Sequence, residues 1–228
     1  MGSTRLPGKV LRPLASEPML ARVVDRAALA ETLDAVWVAT SDAPADDALA
    51  ALAAARGWPV TRGSEHDVLA RYADAAEDAR ADRVVRLTAD CPLIDPAVID
   101  AVVRALGEGD YASNVVPDRT FPHGLDVEAF TADALAAAAA EAGDPAEREH
   151  VTPFLWRRPD RFAQSTVRAD GDYSGHRWTV DQPEDLALVE RVYDAMGNRP
   201  FGWRQVLDLF DDHPEWREIN AHVRQKAV

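Results

Sequence analysis

The sequence predicts an α/β protein with a mostly parallel mixed sheet flanked by helices. Three observations lead there. From residue 17 to about 110, short apolar runs alternate with amphipathic stretches, the rhythm of βα units. Acidic residues directly follow two apolar runs, at the strand ends where open α/β sheets collect their ligands. After Asp110 the pieces shorten and are broken by Pro117, Pro122 and Gly124, which reads as antiparallel or mixed additions to the same sheet.

The first strands are predicted at Ala35 to Ala39, Pro59 to Thr61 and Arg83 to Leu87. Between them, Asp46 to Arg56 and Asp67 to Arg80 carry Ala and Leu at helical spacing and serve as crossover helices. Tyr111 to Val115 and Asp126 to Phe130 follow as strands. Next come a helix from Thr131 to Ala142, with Thr131 as its N-cap, and another from Ala146 to about Trp156. Pro183-Glu184-Asp185 opens a further helix, with proline and acids in the first turn as helix starts prefer. Trp203 and Trp216 read as core or dimer contacts.

At 228 residues the chain has the length of one domain, 1–228, whose rhythm changes after residue 110. A formal charge of -14 opposes broad binding to nucleic acid, so any anionic ligand needs a local basic pocket. The single cysteine, Cys91, rules out an intrachain disulfide and a Cys-rich zinc site and fits a reducing cytoplasm. No run of about 18 apolar residues is present and the first residues lack a signal-peptide core, so no membrane role is expected.

Chemistry concentrates in three segments. Gly2-Ser3-Thr4-Arg5-Leu6-Pro7-Gly8-Lys9 is a glycine-bearing loop whose backbone N–H groups, Arg5 and Lys9 could cradle a triphosphate. It departs from a Walker A loop, because Val10 follows Lys9 where Ser or Thr would be needed. An ordinary surface turn is the competing reading. In Leu87-Thr88-Ala89-Asp90-Cys91-Pro92-Leu93 an acid follows an apolar run directly; Asp95 is the better cap for the next helix, which leaves Asp90 free to hold Mg²⁺. Arg177 to Asp185 repeats that grammar, with Asp181 either closing on the same ion or capping a helix.

Together these segments resemble the cytidylyltransferases that activate acylneuraminate and Kdo, and most of all their relatives of spore-coat polysaccharide synthesis. The resemblance spans nearly the whole chain. It takes in Val38 to Ser41, Arg62-Gly63-Ser64, Asp67-Val68-Leu69 and Ser113-Asn114. It continues through Pro122-His123-Gly124-Leu125-Asp126-Val127-Glu128 and Glu147-Arg148-Glu149-His150. It implies a glycosyltransferase-A-like, nucleotide-diphospho-sugar transferase fold with CTP over the strand ends, in which 1–110 are the nucleotide-binding half and 111–228 the acceptor-binding and second metal-ligand half. Arg5 and Lys9 then look like triphosphate ligands, joined by Gly2 and Ser3, while Asp90 and Asp181 look like ligands of Mg²⁺. Gly63, Ser64 and Asp67 look like the base-reading loop, although a tight turn before a helix explains them equally.

His123, Gly124, Asp126, Glu128, Arg148 and His150 look like the acceptor site, where a salt bridge is the alternative for Glu128 and an exposed helix face for Arg148. The implied reaction transfers CMP from CTP to a small anionic acceptor, a sugar acid, sugar phosphate or phosphonate, with release of pyrophosphate. His123 and His150 are candidate bases, and a cytoplasmic homodimer is the expected assembly. A nucleotide-sugar glycosyltransferase and a noncatalytic assembly protein are the rivals; the first would carry an Asp-x-Asp motif, which Asp90-Cys91-Pro92 does not match. Relatives place an apolar strand ending in a Gln-Ala-Arg-like stretch ahead of the phosphate loop. Here the first strand is missing, and the reading frame is expected to extend upstream of Met1 and encode it.

Overall fold

A computed structural model describes residues 5–197 and 199–224. Among the described residues a 3-10 turn, Lys9–Leu11, precedes a short hairpin of β1 (Pro13–Leu14) against β2 (Glu17–Pro18), and the chain continues into α1 (Met19–Ala27), which buries Met19, Leu20, Val23 and Val24. β3 (Val38–Ser41), α2 (Asp47–Arg56), β4 (Val60–Gly63), α3 (Val68–Ala79) and β5 (Arg83–Arg86) then alternate as the periodicity predicts. α4 (Pro96–Leu106), β6 (Tyr111–Ser113), β7 (Glu128–Thr131) and α5 (Ala132–Glu141) follow. α6 (Pro145–His150), α7 (Pro153–Trp156), β8 (Gln164–Thr166), α8 (Pro183–Met196) and α9 (Trp203–Asp212) come next, and a 3-10 turn, Pro214–Glu218, follows α9.

Local chemistry sets the boundaries. The Asp95 carboxylate accepts from the N–H groups of Ala97 and Val98, with Pro96 in the first turn, so this side chain does cap α4. Thr131 caps α5 by accepting from Ala134 N–H. The helix predicted across Ala146 to Trp156 is two helices instead. Val151 sits at φ 72°, a region costly for a β-branched residue, and Pro153, which has no N–H to donate, starts the second helix.

Strands β5, β7, β6 and β8 form one sheet in that order, while β3 and β4 form a separate parallel pair. β7 runs antiparallel to both β5 and β6, and β8 runs parallel to β6, so three strands share a direction and β7 opposes them. This is the mixed, helix-flanked architecture expected, with β7 as the reversed strand. The segment Arg177 to Val180, predicted as a strand, makes only one bridge, His123 to Arg177, and a bond from Val180 N–H to Asp90 O of 2.8 Å.

The largest apolar core joins α1, α4, α8 and α9 through Ile94, Ile99, Val127, Trp178 and Phe210. A second, around Tyr111, Phe130 and Phe154, lies under α3, α5 and α7. Trp203 and Trp216 are both buried in the first core.

The loop from Pro122 to Asp126 is held against residues 177–179 by a glycine. Gly124 has φ +103°, and a Cβ there would lie 2.6 Å from Thr179 N and 2.7 Å from Trp178 C. Gly124→Ala therefore faces both a strained backbone and a clash with main chain. We expect a loss of about 1–3 kcal/mol, read as a lower urea midpoint at unchanged m-value; an unchanged midpoint would show that the two segments separate freely.

Candidate active site

The site forms where the segments after β5 and before α8 meet. Val180 N–H donates to Asp90 O, and this backbone bond sets the Asp90 and Asp181 side chains next to each other. Lys9 reaches both: its Nζ lies 2.9 Å from Asp90 Oδ2, 3.0 Å from Asp181 Oδ1 and 2.8 Å from the carbonyl oxygen of Val180. Arg5 adds a second cation, 2.9 Å from Asp181 Oδ1. Arg5, Lys9, Asp90 and Asp181, three segments apart in sequence, are thus one cluster.

Electrostatics favour the charged forms of Asp181 and Lys9. Burial works against the Asp181 carboxylate, but Lys9, Arg177 and Arg5 outweigh it and hold the pKa below the usual carboxylate range. Burial likewise works against the Lys9 ammonium, yet the two carboxylates raise its pKa above the ordinary lysine value.

Behind Asp181 stands a framework that the sequence reading missed. Arg177 forks between acids: its Nη2 lies 2.9 Å from Asp181 Oδ2 and its Nε 2.9 Å from Asp185 Oδ1. Asp185, fully buried, also accepts from the N–H groups of Asp181 and Gln182 and from Asn220 Nδ2. The signal was present in the sequence as Arg177, Asp181 and Asp185 at four-residue spacing just before a helix.

The residues expected to face the acceptor lie partly beside this cluster. His123 abuts Arg177 through the strand bridge, and Trp178 N–H donates to His123 O at 2.7 Å. Burial, with Arg119 and Arg177 nearby, pushes the His123 pKa down, so its imidazole is neutral near pH 7. Its Nδ1 is buried with no hydrogen-bond partner. Asp126 accepts both guanidinium arms of Arg119, at 2.5 and 2.8 Å, and also the Gly124 N–H. Cys91, next to Asp90, is buried; burial first, then Asp90 and Asp126, raises its thiol pKa well above normal, so it is no nucleophile.

Glu128 points into an interior network. It accepts from Tyr111 Oη at 2.6 Å, Thr152 Oγ1 at 2.7 Å and Arg86 Nη1 at 2.7 Å. Arg148 bonds Asp67 through Nε at 3.0 Å and through Nη2, so the two are one ion pair across α3 and α6. Asp67 caps α3 as well, accepting from Ala70 N–H. Gly63 pairs with Ser41 at the end of β4, and a Cβ there would press on Arg71 Cγ at 3.0 Å. Ser64 Oγ accepts from His66 N–H, and His150 ends α6 half-buried. Gly2 and Ser3 lie outside the described residues.

Such a fold, with cations and paired carboxylates gathered at its strand ends, defines a nucleotidyltransferase-like α/β protein. Comparison makes the assignment specific. A family model described as Cytidylyltransferase matches residues 1–205, and the chain belongs to that family. Among its relatives are the spore coat polysaccharide biosynthesis protein SpsF of Bacillus subtilis, 34% identical over 94% of this chain and 92% of that protein. A 3-deoxy-manno-octulosonate cytidylyltransferase of Anaeromyxobacter dehalogenans is 42% identical over 96% of this chain and 94% of its own. A cytidylyltransferase structure from Leptospira borgpetersenii superposes with a TM-score of 0.90 at 30% identity, covering 100% of this chain and 95% of that one. The chain is a CTP-dependent nucleotidyltransferase. Among the described residues no helix is long and apolar enough to cross a membrane.

Proposed function

We propose that the protein transfers CMP from CTP to a small anionic acceptor of the sugar-acid type and releases pyrophosphate, with Mg²⁺ at Asp90 and Asp181. The observation that carries this reading is the convergence of these two carboxylates on Lys9 Nζ, with Arg5 beside them. A pair of hard oxygen donors that already shares one cation fits a divalent ion; Mg²⁺ is commonly held by one or two carboxylates, with phosphate oxygens and water as the other ligands. The ion would neutralise phosphate charge.

Lys9 and Arg5 neutralise the triphosphate and orient its α-phosphorus for in-line attack, and positioning with electrostatics supplies most of such catalysis. Lys9 then exchanges carboxylate partners for phosphate oxygens. Arg177 and Asp185 keep Asp181 in place as Lys9 leaves. Neutral His123, beside Arg119 and Asp126, stands on the acceptor side and can take a hydroxyl proton. Glu128, enclosed by its three donors, shapes the acceptor wall from behind. Asp67 and Arg148 fix the loop after β4 against α6 beside the base. The 3-deoxy-manno-octulosonate cytidylyltransferase relative supports the sugar-acid class, and the spore coat polysaccharide biosynthesis protein SpsF supports a role in polysaccharide synthesis.

Nucleotide choice is testable by melting. In Mg²⁺, CTP at about a hundred times its dissociation constant stabilises the fold by about 2.7 kcal/mol. The melting temperature should rise with CTP and stay near its starting value with ATP or GTP at the same concentration; equal rises for all three nucleotides would remove the cytidine assignment.

A further inference from the structure

The framework behind Asp181 draws one of its members from far along the chain. Asn220 lies 35 positions beyond Asp185, after the 3-10 turn Pro214–Glu218, and is only 5% exposed. Aromatic packing carries it there. Phe210 of α9 stacks on Trp178 with 5.8 Å between ring centroids, and Trp216 of the turn meets Phe210 edge-on at 6.1 Å. Trp178 directly follows Arg177, so this row seats the segment containing Asn220 behind the run that leads to Asp181. Both N–H bonds of the Asn220 amide are engaged: Nδ2 lies 3.0 Å from the Arg177 carbonyl oxygen and 2.9 Å from Asp185 Oδ1. Both partners accept, which sets the amide with its nitrogen toward them. Asp185 Oδ1 also takes Arg177 Nε at 2.9 Å, and Asp185 Oδ2 takes Arg177 Nη2 at 3.1 Å. The same Nη2 holds Asp181 Oδ2 at 2.9 Å. A continuous path therefore runs from Asn220 through Asp185 and Arg177 to Asp181. It ends on the carboxylate oxygen opposite the one that meets Lys9 and Arg5.

We propose that Asn220 is a positioning residue for Asp181: by clamping the Arg177 backbone and the Asp185 carboxylate together, it fixes the direction in which Asp181 Oδ1 is presented. The proposal rests on the reading of Asp181 as a Mg²⁺ ligand. An amide suits the position. Its one nitrogen serves two acceptors without bringing a charge beside Asp185, whereas an aspartate would offer no donor and repel that carboxylate. Without the amide the Arg177 carbonyl loses this donor, and Asp185 Oδ1 keeps only Arg177 Nε among the described residues. Guanidinium and carboxylate can then shift together and carry Asp181 Oδ2 with them. Mg²⁺ demands near-ideal octahedral geometry, so a misaligned Asp181 weakens metal-dependent binding of the nucleotide. Residues that stand behind metal ligands typically change metal affinity or activity by about 10–100-fold when removed.

Calorimetry of CTP binding with and without Mg²⁺ tests this apart from turnover. For Asn220→Ala the dissociation constant of CTP in Mg²⁺ should rise by about tenfold or more, while in EDTA it stays near the parent value. The Mg²⁺ concentration that gives half-maximal turnover should rise by a similar factor, with the KM for the acceptor unchanged. Asn220→Asp, equal in size but without the donors, should lose more. Asn220→Ser keeps one hydroxyl donor; it should lose less, and it carries the comparison if the alanine variant is too unstable to measure. Val223→Ala is the folding control. Val223 is buried in the same segment and apolar, so its truncation should lower the urea midpoint and leave the Mg²⁺ dependence of CTP binding as in the parent. An unchanged Mg²⁺ dependence in Asn220→Ala, or an equal change in Val223→Ala, would overturn the proposal. Asp181→Asn separates it from the reading beneath: undiminished Mg²⁺-dependent binding in that variant removes Asp181 from the metal site, whereas loss there with retention in Asn220→Ala removes Asn220 alone.

Discussion

Lys9→Ala is expected to lower kcat/KM for cytidylyl transfer by a factor on the order of 10²–10³, the usual cost of removing one preorganised charge from a transition-state site. The reasoning runs through its three contacts. Lys9 holds Asp90, Asp181 and the Val180 carbonyl within 3.0 Å, so its removal takes away a triphosphate ligand and leaves two adjacent carboxylates with less opposing charge. Asp181 retains Arg177 and Arg5, so the fold should survive. Lys9→Arg keeps the charge but forks its donors, and should recover only part of the rate. Steady-state kinetics with circular dichroism as a check on folding measure both variants. A Lys9→Ala enzyme within threefold of the parent would place the lysine outside the chemistry.

Asp185→Ala should produce the largest loss of stability, about 3–5 kcal/mol, the typical cost of breaking one partner out of a buried ion pair. Asp185 is fully buried and satisfies the Arg177 guanidinium, two backbone N–H groups and Asn220 at once. Removing it takes one acid from the Arg177 guanidinium, whose side chain is 9% exposed, and uncaps α8. Asp185→Asn, which keeps acceptor capacity at one oxygen, should lose less. Urea unfolding of both variants decides the matter; a shift below 1 kcal/mol for the alanine variant would show that water replaces the carboxylate at no cost.

Local signals were the readable part of this fold. Asp95 before Pro96, Thr131 before an alanine-rich stretch and the alternating runs up to residue 110 each act within a few residues, and each predicted element formed. The place of Asp90 just beyond β5 was legible for the same reason, whereas the run before Asp181 makes a single bridge and no strand. Long-range partnerships were not. Arg86 meets Glu128 because β5 and β7 pair in a register that brings those two residues opposite each other, 42 positions apart in sequence. Arg148 meets Asp67 because α6 packs on α3, which no spacing announces. The break at Val151 was hidden because a valine at positive φ defies its own propensity, and only tertiary packing imposes it.

The central claim, CMP transfer to an acidic acceptor, is tested most directly by pyrophosphate release. The four nucleoside triphosphates are each offered to the protein with Mg²⁺ and a panel of sugar acids, sugar phosphates and phosphonates. The account predicts pyrophosphate from CTP alone, only when a sugar acid is present, and none once Asp90→Asn or Asp181→Asn is introduced. Release from ATP or GTP at the rate of CTP, or undiminished release by either asparagine variant, would contradict it.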